Sequence, residues 1–137
     1  MTDDICVPII RDGDIIIARM KVRELATQVG FVRADLTLIA AAVSEIARNI
    51  FVYAGRGEMI FTSLQNGGRC GISAIGRDSG PGIPDVEQAM QDGFSTGKSL
   101  GLGLPGAKRL MDEFEILSKV GVGTTVTMRK WLPSSHG

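Results

Sequence analysis

No excess of positive charge, no long apolar run and almost no metal-binding side chains characterise this chain. Its 137 residues carry 15 basic against 15 acidic side chains, and no basic run stands out. Binding along a nucleic-acid backbone needs a positive face, so nucleic acid is not expected as the main partner. Uninterrupted apolar stretches are too short to cross a bilayer, and the N-terminal MTDDICVP lacks the charged-then-apolar pattern of a secretion signal. A cytoplasmic protein with no membrane partner is the expectation. Cys6, Cys70 and His136 are its only cysteines and histidine, which all but excludes a zinc site built from those ligands. Both cysteines fall in apolar, strand-like segments and are expected to be buried structural thiols. The length suits one domain over residues 1–137, with 131–137 expected as a frayed tail.

What the chain does have is a polar stretch, DSGPGIP, from Asp78 to Pro84. It follows the strand-like segment Arg69–Arg77, and its glycines and prolines set a turn whose backbone can approach a ligand closely. Asp78 at its start can accept a hydrogen bond from an amine-bearing ligand in a water-poor site, or it can simply cap the turn.

Around this stretch the elements follow in order. Ile5–Ile10 reads as an edge strand, and Asp12 or Asp14 can cap a helix. That helix repeats Ile15, Ala18, Val22, Leu25, Ala26 and Val29 at helical spacing and stops at Gly30. It suits core packing or a partner surface. A second helix is predicted from near Asp35 to about Tyr53, with Ile39, Val43, Ile46 and Ile50 as its core stripe. Glu45 and Asn49 lie four apart and share another face of it, which taken alone reads as a solvated polar face.

Glu58–Gln65 and Arg69–Arg77 are predicted strands joined by the hairpin signal Asn66-Gly67-Gly68. A short helical turn is expected around Val86–Met90. The glycine-rich run that follows feeds a helix from Leu104 with Pro105 in its first turn, an arrangement suited to phosphate because free backbone N–H groups face the anion. GFSTGKS at Gly93–Ser99 superficially resembles a P-loop, but it has three residues between its glycines where four are required. Phe114–Val120 and Thr124–Leu132 complete the pattern as two strands around Gly121-Val122-Gly123. The order implies helices layered on one face of a mainly antiparallel sheet.

Taken together, the helix bearing Glu45 and Asn49, the Asp-x-Gly-x-Gly loop, the Gly-x-Gly run before a helix and the late Gly-x-Gly-Thr resemble the GHKL family of ATP-binding domains. That family includes histidine kinases, gyrase and bacterial anti-sigma serine kinases. SEIARNIFVYAG (Ser44–Gly55), DSGPGIPDVEQAMQDGFST (Asp78–Thr96) and LGLGLPGAKRLMDEF (Leu100–Phe114) are most similar to the RsbT-type switch kinases of bacterial stressosomes. The resemblance implies an α/β (α+β) two-layer sandwich of the GHKL, or Bergerat, type with a mainly antiparallel mixed sheet.

It further implies a serine/threonine-protein kinase that uses ATP and Mg²⁺. Glu45 would be the general base, Asn49 the magnesium ligand and Asp78 the acceptor for the adenine amino group. Gly80 and Gly82 would let the backbone pass close to the base, with Ile83 against the ring and Thr124 completing the pocket. Gly101 and Gly103 would let a lid fold over the phosphates, and Lys98 would reach the terminal phosphate. The implied partners are STAS-domain stressosome proteins as substrates and a phosphatase activated by binding. The alternative within the same resemblance is an anti-sigma factor that sequesters a sigma subunit.

Overall fold

The computed structural model describes residues 4–90 and 103–133. Five strands, β1 (Ile5–Ile9), β2 (Gly57–Asn66), β3 (Arg69–Asp78), β4 (Glu113–Lys119) and β5 (Gly123–Trp131), form one sheet in the order β1-β2-β3-β5-β4. Every pairing in it is antiparallel, so the mixed sheet expected from the family pattern is not found among the described residues. The hairpin β2–β3 turns at Gly67 and Gly68, both with positive φ, as its sequence predicts. Insertion of β5 between β3 and β4 sets Thr124 directly opposite Asp78.

Alternation decides which face is covered. Val7 and Ile9 of β1, Met59 and Phe61 of β2, Ile72 and Ala74 of β3 and Val126 and Met128 of β5 are buried against helices α1 (Gly13–Val29) and α2 (Arg33–Asn49). The stripes Ile15, Ala18, Val22, Leu25 of α1 and Ile39, Val43, Ile46 of α2 join them in one continuous core. Each fully buried large apolar side chain there stabilises the fold by roughly 1.5–3 kcal/mol. Two short helices, α3 (Val86–Ala89) and α4 (Gly103–Leu110), lie either side of residues 91–102.

Several expectations need correction. Helix α2 starts at Arg33, and its last turns are not α-helical: Ile50–Ala54 continue it as a π-helical turn that ends at Gly55. Asp12 occupies the N-cap position of α1 without making a side-chain cap bond. Asp14 instead reaches back to accept the N–H groups of Ile10 and Arg11, both at 2.9 Å. Cys6 is exposed and Cys70 half-buried, neither sealed in the core. The sheet continues into the expected tail: Trp131 pairs with Gly71, and the Leu132 N–H donates to the Cys70 carbonyl at 2.8 Å. An 18-residue window of the helix Arg33–Ala54 has a mean hydropathy of 1.4, long and apolar enough to cross a membrane by length and composition alone, and half of that window is buried inside this fold.

Candidate functional site

One cavity of about 420 Å³ opens where α2, the Asp78–Pro84 loop, α3 and α4 meet above the sheet. Ile46, Asn49, Ile50 and Tyr53 form one wall, and Gly76, Asp78, Thr124 and Val126 form the floor. Pro81, Gly82, Ile83 and Pro84 of the loop, with Asp85 and Gln88 at α3, close a second side, and Gly103 to Pro105 of α4 close a third. The wall turns at the π-helical segment, whose wider winding presents consecutive residues Tyr53 and Ala54 to the cavity. A largely apolar cavity with a few convergent polar groups is the usual form of a small-molecule site.

The polar groups are fixed by short bonds. Asp78 Oδ1 accepts the N–H of Gly80 at 2.9 Å, which closes the turn and leaves the second carboxylate oxygen for another donor. Ser118 of β4 joins the loop to the floor: its hydroxyl accepts the Ile83 N–H at 2.7 Å and lies 2.8 Å from the Thr124 hydroxyl. The two loop glycines answer to packing. A Cβ on Gly80 would lie 2.5 Å from the Cβ of Ala54, and one on Gly82, which has φ +79°, would lie 2.4 Å from the Lys119 carbonyl oxygen. Neither site has room for a side chain, and a left-handed φ is costly for any residue but glycine.

Glu45 adjoins the cavity from α2. It is 8% exposed, and its Oε1 accepts the backbone N–H of Gly103, the first residue of α4, at 3.0 Å. Its Oε2 faces Arg48 Nη1 at 3.7 Å. The solvated polar face considered for Glu45 is therefore excluded: α4 lands on it. Among the described lining residues the charged ones are Asp78 and Asp85.

Of the residues singled out in the sequence, Asn49, Asp78, Gly82, Ile83, Gly103 and Thr124 line this one cavity, and Glu45 touches its rim through Gly103. Gly80 packs on Ala54 and is not on the lining, while Lys98 and Gly101 lie outside the described residues. Sequence reasoning missed Tyr53 and Ser118 as site residues, and it gave Ile46, Ile50 and Val126 only core or strand roles. Ser118 had no signal, since its partners are distant in the chain.

A two-layer sandwich with its cavity between the long helix, the Asp-x-Gly-x-Gly loop and the start of α4 defines a small-molecule-binding class. Residues 12–130 match the histidine kinase-like ATPase domain, and the chain belongs to that family. Within it, the chain is 47% identical over 132 residues to the serine/threonine-protein kinase RsbT of Bacillus subtilis (strain 168), covering 96% of this chain and 99% of that one. It is 34% identical over 124 residues to the anti-sigma F factor of Anoxybacillus flavithermus (strain DSM 21510 / WK1), covering 86% of this chain and 84% of that one. In fold it resembles a crystal structure of the RsbU and RsbW domains of a Mycobacterium tuberculosis protein, with TM-score 0.66 at 19% identity. That match covers 98% of this chain, which spans about a third of the larger one (34%).

Proposed function

We propose that this ATP-using serine/threonine-protein kinase phosphorylates small STAS-domain partners in the cytoplasm and so switches between a stressosome assembly and a phosphatase that it activates by binding. The observation that carries this reading is the buried Glu45 carboxylate, held 3.0 Å from the first N–H of α4 beside a cavity that Asn49 and Asp78 share. Its length-wide likeness to RsbT supports the kinase over a pure binding module.

In this reading the free oxygen of Asp78 accepts the adenine amino group while Ile83 packs on the ring and Thr124 borders it. The floor and wall residues exclude water, which strengthens that hydrogen bond. Magnesium, when bound, would neutralise phosphate charge, with the Asn49 side-chain oxygen as its hard protein ligand. Gly101, Gly103 and Lys98 would meet the phosphates from the lid side. The serine or threonine hydroxyl of the partner attacks the γ-phosphorus, and its proton passes to Glu45. The bond to the β–γ bridging oxygen breaks, releasing ADP. Positioning and charge neutralisation carry most of the rate, so the demand on the base is modest.

The test is intact-mass spectrometry of candidate STAS-domain proteins incubated with this protein and Mg-ATP. A phosphate-sized gain should appear with the wild type and fall at least 100-fold in rate with Glu45→Gln, with ATP affinity largely kept. Complete absence of that gain despite ATP binding would sink the kinase reading. Similarity to the anti-sigma F factor supports the second reading, sequestration of a sigma subunit. Co-elution with a sigma factor, undisturbed by STAS-domain partners, would establish that reading in its place.

A further inference from the structure

Among the described residues Glu45 is the buried carboxylate, and it is gripped at both ends. The N–H of Gly103 holds Oε1, while the guanidinium of Arg48, one turn further along α2, faces Oε2 at 3.7 Å. That separation is a charge contact without a hydrogen bond. The Arg48 side chain is 37% exposed against 11% for Glu45, so its charge stays hydrated while acting on a largely shielded carboxylate. A single contact through Oε1 would leave the carboxylate free to swing about it. Contacts at two oxygens fix its plane, and each oxygen has a second lone pair to spare.

We propose that Arg48 is a positioning residue for phosphoryl transfer, holding the Glu45 carboxylate in the plane from which it takes the acceptor's proton. The inference rests on the reading of Glu45 as the base. An arginine suits the task because its guanidinium keeps its charge at every working pH and cannot accept the transferred proton in place of Glu45. Its position directly before Asn49 lets one helical turn carry the base, its orienting cation and the magnesium ligand. A surface ion pair of no consequence predicts the opposite, that losing Arg48 changes nothing.

Steady-state kinetics on a STAS-domain protein that the wild type phosphorylates would decide, using Arg48→Gln, Arg48→Lys and Glu45→Gln. Arg48→Gln should lower kcat about tenfold, a part of the roughly 10²–10⁴-fold that a positioned base supplies. KM for ATP should stay within about twofold and the Tm should not move, because the side chain is partly exposed and fills no core space. Arg48→Lys keeps the charge and should recover most of kcat. The proposal falls if Arg48→Gln matches wild type, if its kcat loss comes with an equal loss of ATP affinity, or if Arg48→Lys is no better than Arg48→Gln. Wild-type transfer by Glu45→Gln would instead remove the base reading itself. An inactive Glu45→Gln beside a fully active Arg48→Gln would remove only the role of Arg48.

Discussion

Asp78 must satisfy two donors with one side chain. Its Oδ1 already takes the Gly80 N–H at 2.9 Å, and the other oxygen is the one available to the cavity. Asn at this position has a single acceptor oxygen. Asp78→Asn must therefore either open the turn at Gly80 or present an amide N–H₂ to a ligand amine, donor against donor. A hydrogen bond to a charged group contributes about 1.5–3 kcal/mol, so ATP affinity should fall about 10- to 150-fold. Calorimetric titration with ATP measures it, and an affinity within twofold of wild type would remove Asp78 from the adenine contact. The neighbouring Ser118–Thr124 pair, 2.8 Å apart, braces the same floor from β4, so the pocket's polar geometry is held by side chains from three separate segments.

The elements were legible where periodicity spoke. The first helix and all five strands sit within one or two residues of their predicted limits, and α2 reaches its predicted end only through the π-helical turn that follows it. What stayed hidden depends on distant chain. Glu45 reads as a polar helix face until α4, 58 residues later, docks on it, and the π-helical turn at Ile50–Ala54 leaves no mark in composition. Cys6 was misjudged by its apolar neighbours, although alternation with inward Val7 and Ile9 turns it outward. The loop glycines were read as making room for a ligand, whereas their near contacts are with the protein's own Ala54 and Lys119. A matched pair separates backbone strain from crowding. Gly82 and Gly121 have φ of +79° and +80°, but a Cβ on Gly121 meets nothing within 4 Å. Gly121→Ala should cost about 1 kcal/mol from left-handed backbone alone, while Gly82→Ala should cost about 1–3 kcal/mol more and weaken ATP binding. Urea denaturation of both variants measures the difference, and equal losses would show that the Lys119 carbonyl yields.

For the molecule as a whole, stability against pH follows from four groups lying outside the cavity. Asp14 is held below the usual carboxylate range by the N–H of Ile10 and then that of Arg11. Glu58 is lowered chiefly by its hydrogen bond to Arg77 and next by the Cys6 thiol, and Glu113 chiefly by the Trp131 indole N–H and next by Arg129. Each is a better acid folded than unfolded, so its contribution is complete above the ordinary carboxylate value of about 4 and is lost as pH falls through the lowered folded value. Cys6 runs the other way. Although the residue is exposed, partial desolvation of the thiol, then its hydrogen bond to Glu58, raises its pKa, so its contribution is present below the ordinary thiol value of about 8.5 and disappears as pH rises through the raised one. The Tm should therefore hold from about pH 5 to 8 and decline on both sides. The acid limb should be shallow, since these carboxylates face solvent and their ion pairs are screened, and 1 M salt should flatten it further. The triple variant Asp14→Asn, Glu58→Gln, Glu113→Gln should lower the Tm more at pH 7 than at pH 3, so that its acid limb is flatter than wild type. An equal drop at both pH values would mean that the three side chains contribute through packing and shape, and that other groups set the acid limb.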